Sequence, residues 1–185
     1  METEILPGIT MRQATPDDTT TFAEIHQEVA HWLWSHGIHQ WQPGMWPEEW
    51  IRRAIARGDL YVAVEQGAVI GTVIIQSTDT KIWGETADAA GYVHSLRVRR
   101  SAAGRGIGLA LLCWAEREIA ARGNRLARLA RLDCMAENSA LCAYYERAGY
   151  QRVGSFTFHD GDEPYSVAFF EKSFEGSEAR QGMAR

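Results

Sequence analysis

The sequence predicts one mixed α/β domain, and three observations carry that expectation. First, six to seven stretches read as strands and about four carry apolar residues at helical spacing. Second, two pairs of strand-like stretches are joined by turn-forming residues, so the sheet is expected to be mostly antiparallel. Third, a strand, a glycine-rich loop and a helix follow one another from Gly91 to Gly123. A length of 185 residues with 45% hydrophobic and 23% charged residues suits one core of ordinary size.

Taken in order, residues 1–8 are expected to be a flexible tail and 9–174 the domain. Ile9 to Ala14 alternates as a first strand. Thr15-Pro16-Asp17-Asp18 opens a helix, with acids at its positive end and Phe22, Ile25, Val29, Trp32 and Leu33 on one stripe. Five of the seven tryptophans then fall between Trp32 and Trp50. Rings of this size pack helices onto sheets, but the segment from Gly37 to Pro47 has no regular period. Pro47-Glu48-Glu49 begins a second helix, ending at Arg57-Gly58. Leu60–Val64 and Val69–Ile75 form a hairpin about Glu65-Gln66-Gly67-Ala68. Ser77 to Ala90 reads as a polar loop.

Tyr92 to Val98 is the next strand, with Tyr92, His94, Leu96 and Val98 expected on one face and Val93, Ser95 and Arg97 on the other. The helix from Ile107 closes at Gly123. Leu129–Cys134 is a strand, and Ser139–Ala148 a helix capped by Asn138. A last hairpin, 151–158 with 165–170, turns at Asp160-Gly161-Asp162-Glu163, acids that could attract a cationic substrate or could be turn chemistry alone. Residues 175–185 are expected to be a second flexible tail.

The glycine loop is an anion site by construction. Gly104, Gly106 and Gly108 admit a close ligand, and the following helix offers free N–H groups and the positive end of its dipole. Arg99, Arg100 and Arg105 can add charge. No Lys-Ser or Lys-Thr follows, so a nucleoside-triphosphate loop is excluded, as is the G-x-G-x-x-G spacing.

Two stretches together resemble the GNAT superfamily of N-acetyltransferases. One is Ala103-Gly104-Arg105-Gly106-Ile107-Gly108, after a strand ending at Val98. The other is Asn138, Tyr145, Gly149 and Tyr150. The family's leading Arg or Gln is Ala103 here, and backbone N–H groups do most of the pyrophosphate binding in the family. The resemblance implies a GNAT-like domain with a sheet splayed beside the loop, and acetyl-CoA as co-substrate without a metal. It places the pyrophosphate on Ala103, Gly104, Arg105, Gly106, Ile107, Gly108 and Leu109. The pantetheine arm falls on the backbone of Leu96, Arg97 and Val98 and on Asn138. The reaction implied is direct attack of a primary amine on the thioester in a ternary complex.

A free alkyl amine titrates near ~10.4, so the site must remove a proton. His94 is the candidate base, with a satisfied core histidine as the alternative; Glu28 and a water-linked route stay open. Tyr145, seven residues after Asn138, is the candidate acid for the leaving thiolate, with neighbouring Tyr144 as its competitor. In the family the irregular segment walls the acceptor, which makes Trp41 and Trp46 candidate acceptor residues; Trp83, in the 77–90 loop, is a candidate edge residue of the substrate cleft. A non-catalytic acyl-CoA-binding or sensor module of the same fold is the alternative function.

The net charge of −5 argues against a nucleic-acid partner. The spacing of Cys113, Cys134 and Cys142 suits buried free thiols better than a metal or disulfide framework. Neither a membrane span nor a signal peptide is legible, so a cytoplasmic monomer or homodimer acting on a small-molecule or peptide amine is expected.

Overall fold

The computed structural model describes residues 2–38, 40–41, 46–86, 89–122, 129–159 and 164–174. The strands are β1 (Thr3–Leu6), β2 (Ile9–Gln13), β3 (Leu60–Glu65), β4 (Ala68–Gln76), β5 (Ala90–Val98), β6 (Leu129–Met135), β7 (Gln151–Phe158) and β8 (Tyr165–Ser173). The helices are α1 (Thr19–Ser35), α2 (Glu48–Ala56), α3 (Thr80–Trp83), α4 (Ile107–Arg122) and α5 (Ser139–Arg147). The sheet runs β1-β2-β3-β4-β5-β6-β8-β7. Every neighbouring pair is antiparallel except β5 with β6.

Two elements differ from the sequence expectation. Thr3–Leu6 is an edge strand on β2 rather than part of a loose tail, with Thr3 opposite Met11. Its alternation is too short to read without the neighbouring strand. Within the expected 77–90 loop, Thr80–Trp83 makes one helical turn capped by Asp79, whose Oδ1 accepts from the Ile82 N–H at 3.2 Å. Gly123 and the acids Asp160, Asp162 and Glu163 lie outside the described residues.

Local chemistry accounts for the regular elements. Gln66 and Gly67 both have positive φ, the backbone that a two-residue hairpin between β3 and β4 requires. Asp18 accepts the Thr15 N–H at 2.7 Å and two N–H groups of Arg12 at 2.7 and 2.8 Å, which pins the start of α1 to β2. Helices cover both faces of the sheet. Phe22 of α1 and Ile51, Ala54 and Ile55 of α2 pack with Leu60, Val62 and Ile74. On the opposite face, Leu111, Leu112 and Ile119 of α4 and Tyr145 of α5 pack with Val73, Ile75 and Val93. Gly91 has a packing reason: a Cβ there would collide with Ile119, so the glycine lets α4 lie close on β5.

The centre of the sheet is where the regular pattern breaks. Ser95 has φ of +53°, and the β4–β5 register shifts there, with Thr72 opposite Arg97 and Ile74 opposite His94. This is a β-bulge. It overturns the expected alternation of β5. Tyr92, His94 and Arg97 share the α1–α2 face, while Val93, Leu96 and Val98 pack on the α4 side. One added residue moves Leu96 and Val98 to the face opposite His94.

Candidate active site

β5 and β6 pair only at Ala90–Leu129, Gly91–Ala130 and Tyr92–Arg131. Beyond Tyr92, β5 continues along β4 and β6 along β8, so the two middle strands part. The backbone of β5 from Val93 to Val98 therefore faces a gap with no β6 partner. Strand edges of this kind are available to an extended ligand.

The glycine loop stands at the end of this gap. Gly104 and Gly106 have φ of +78° and +75°, are exposed, and have open space where a Cβ would stand. Ile107 starts α4 directly after them. Gly108 is different, because a Cβ there would lie 3.3 Å from the Tyr144 hydroxyl. The three neighbouring arginines are engaged elsewhere. Arg105 pairs with Glu65 at 2.6 Å. Arg99 reaches Glu28 at 3.1 Å and the Val69 carbonyl at 3.0 Å. Arg100 stacks on Trp32 at 3.8 Å. The loop's anion chemistry thus rests on its backbone and helix terminus. Glu28, held by Arg99 and by the Arg100 N–H, is spent as a structural anchor rather than free as a base.

His94 stands where the strands part. Its Nε2 is 3.4 Å from Asp79 Oδ2 and its Nδ1 is 3.9 Å from Asp133 Oδ1. Asp79 Oδ2, His94 Nε2 and Asp133 Oδ1 are all buried without a hydrogen-bond partner. Burial raises the Asp133 carboxyl above its usual range; His94 pulls it down and Asp79 pushes it up. Among the described residues, Asp79, His94 and Asp133 form the one trio of His, Cys, Asp or Glu whose ligand atoms lie within 4.8 Å of one another. The carboxylates face opposite nitrogens of the ring, and one metal ion would use only one of those nitrogens. The arrangement suits handling of a proton or an ammonium.

Arg97 lies on the same face, one position beyond the bulge. It is 2% exposed. Its guanidinium carbon is 5.0 Å from the Phe22 ring, 4.5 Å from Trp41 and 5.6 Å from Trp46. Its Nη2 donates to Ser95 Oγ at 3.2 Å, while Nε and Nη1 have no hydrogen-bond partner. Burial pushes the group down to about 9, so it is still charged at neutral pH. Cation–π contacts return about 0.5–2 kcal/mol each, against several kcal/mol for desolvating an ion. The strand pattern puts Arg97 on the face opposite His94, and the family resemblance implies only its backbone at the site. The bulge brings its side chain in as well.

The aromatic candidates divide. Trp41 and Trp46 are half-buried and cover Arg97, on the same side as His94. Trp83 packs on Phe169 at 4.9 Å, Tyr92 at 5.9 Å and Arg131 at 5.1 Å. It anchors α3, and so places Asp79. Asn138 caps α5 through Leu141 N–H at 3.1 Å, and its Nδ2 donates to Gln40 Oε1 at 3.3 Å. That bond ties the tryptophan segment to the helix after β6.

Tyr145 is buried between Tyr150 and Phe170, and burial drives its hydroxyl strongly upward, helped by Cys134, Tyr144 and Asp133. The Tyr144 hydroxyl is buried without a partner beside Gly108. Cys134 and Cys142 are buried with their sulfurs 3.7 Å apart, whereas Cys113 is exposed, against expectation. Its place on α4 could be read from the sequence, but which side of α4 the core covers could not.

Residues 26–150 match the model of the Acetyltransferase (GNAT) family. The chain belongs to that GNAT family. Its match region takes in the glycine loop, the parted strands and α5. The chain is 28% identical over 158 residues to YesJ of Bacillus subtilis (strain 168), an uncharacterized N-acetyltransferase, covering 82% of this chain and 86% of that protein. A GNAT-family acetyltransferase from Listeria monocytogenes 4b F2365 superposes with a TM-score of 0.73 at 25% identity, over 94% of this chain and 100% of that one. YncA from Salmonella typhimurium, a putative acetyltransferase solved with acetyl-CoA, shares the fold with a TM-score of 0.65 at 16% identity, over 95% and 99% of the two chains. Among the described residues of this GNAT protein, no helix is long and apolar enough to cross a membrane.

Proposed function

We propose that this GNAT acetyltransferase moves an acetyl group from acetyl-CoA to a primary amine, by direct attack in a ternary complex. The observation that carries the reading is His94, placed with a carboxylate at each ring nitrogen where β5 and β6 separate. The acetyl-CoA fit rests on the open cradle at Gly104 and Gly106, the unpaired edge of β5, and the same fold holding acetyl-CoA in YncA.

In this reading the pyrophosphate lies on the backbone from Ala103 to Leu109, and the pantetheine arm pairs with Leu96, Arg97 and Val98. The amine arrives protonated, and the negative potential of Asp79 and Asp133 favours its approach. His94 accepts the ammonium proton. The nitrogen lone pair forms the C–N bond, the C–S bond breaks, and the thiolate takes a proton from Tyr145; the second proton on the acetylated nitrogen then leaves and, passed through water, restores the Tyr145 hydroxyl, so that the product is the neutral amide and CoA thiol. The Tyr145 hydroxyl is held neutral by burial, and desolvation raises the proton affinity of the thiolate in the same direction. Trp41 and Trp46 wall the acceptor.

A non-catalytic acyl-CoA-binding module has no use for a histidine between two carboxylates. CoA-thiol release from acetyl-CoA over a panel of primary amines tests the choice. Amine-dependent release that is lost in His94→Gln supports the enzyme. Tight acetyl-CoA binding with no release for any amine supports the binding module.

A further inference from the structure

The acceptor face carries two unsatisfied polar groups of opposite preference. At one end Asp79 Oδ2, His94 Nε2 and Asp133 Oδ1 lack hydrogen-bond partners and would welcome a cation. At the other end Arg97 is buried with its Nε and Nη1 donors open and, among the described residues, no carboxylate paired with it. The bulge at Ser95 makes His94 and Arg97 successive residues on this face of β5, because Thr72 and Ile74 opposite them are themselves neighbours on one face of β4.

We propose that the acceptor is a zwitterionic amino acid, with its ammonium against Asp79, His94 and Asp133 and its carboxylate on Arg97. The identification rests on the amine-acetylating reading above. A carboxylate is favoured over a phosphate by charge. Arg97 is one cation among apolar rings, Phe22, Trp41 and Trp46. A monoanion neutralises it, whereas a dianion would leave net buried charge. The guanidinium fork matches a carboxylate in shape as well as charge. A plain polyamine would leave Arg97 unpaired, and would bring a second cation toward it. Trp41 and Trp46 are half-buried and form the outer layer over Arg97, so the carboxylate reaches it by displacing a ring edge rather than by opening the core.

The test uses the full chain with CoA bound. The Arg97 Nε–H resonance, assigned through bonds from the Arg97 backbone in isotope-labelled wild-type protein, is followed while acetate, inorganic phosphate or sodium chloride is added at equal ionic strength. A saturable shift with acetate, at least about tenfold tighter than with phosphate or chloride, is expected. No saturable shift, or tighter binding of phosphate, overturns the proposal. This measurement needs neither turnover nor a folded variant at Arg97. In parallel, CoA release is compared for L-amino acids and for the amines made by removing their carboxylates. Wild type should favour the amino acid by about tenfold or more in kcat/KM, and Arg97→Met should bring the ratio of the two substrates' kcat/KM close to one. Equal use of both members by wild type overturns the zwitterion. Absence of turnover with every amine, beside saturable acetate binding, strikes the amine-acetylating reading and leaves the anion site standing.

Discussion

His94 Nε2 lies 3.4 Å from Asp79 Oδ2, and Asp79 reaches that position from the cap of a single-turn helix. A carboxylate behind one ring nitrogen fixes the orientation of the ring, leaving the other nitrogen toward Asp133. His94→Gln should lower kcat/KM by roughly 10²–10⁴-fold if proton removal limits the rate. Acetyl-CoA affinity, measured by calorimetry, should not change. Activity equal to wild type across the amine panel would remove His94 from the chemistry and leave water as the base.

Tyr145 and Tyr144 make separable predictions. Burial keeps the Tyr145 hydroxyl protonated across the assay range, so no loss of rate from its ionisation is expected. Tyr145→Phe should retain acetyl-CoA binding and lower kcat by roughly 10²–10⁴-fold. Tyr144→Phe should do less. The reverse order would assign the proton to the hydroxyl beside Gly108.

Gly106→Glu places a side chain and a negative charge in the open space over the loop. Acetyl-CoA affinity should fall by about tenfold or more, the factor that 1.4 kcal/mol represents. Gly67→Glu is the control, since Gly67 also has positive φ and open space but sits in the β3–β4 turn. It should suffer the same backbone strain, about 1–2 kcal/mol, and bind acetyl-CoA as wild type does. Equal losses in both variants would mean that strain, not the anion site, is being read.

Asp133 predicts a pH dependence of stability. Its folded carboxyl titrates above the unfolded value of about 3.9, chiefly through burial. Stability linked to such a group is fully present below that unfolded value and is lost as pH rises through the folded one. Asp133→Asn should therefore melt higher than wild type at about pH 8, with the difference closing toward about pH 4. Thermal melts at both pH values check this. A variant that melts lower at pH 8 would show the ionised carboxylate to be net stabilising.

The sequence by itself determined the parts whose signals are local. The turn at Gln66-Gly67, the start of α1 at Thr15–Asp18, the glycine loop before Ile107 and the Asn138 cap all depend on residues within a turn of one another. The spacing from Asn138 to Tyr145 and the loop pattern sufficed for the family because both are chain-local. Tertiary structure decided the rest of the site. The left-handed Ser95 sits inside an otherwise regular strand, and only pairing with β4 shows that Arg97, not Leu96, lies opposite Thr72. A bulge is a property of two strands in register, so a period of two read along one strand must miss it. Asp79 and Asp133 likewise come from a loop and a strand far apart in sequence, and each is an ordinary acid where it stands in the chain. They become a site because Trp83 anchors α3 on the sheet and β6 leaves β5 after Arg131, which brings both carboxylates to one imidazole in a buried place where charge is weakly screened.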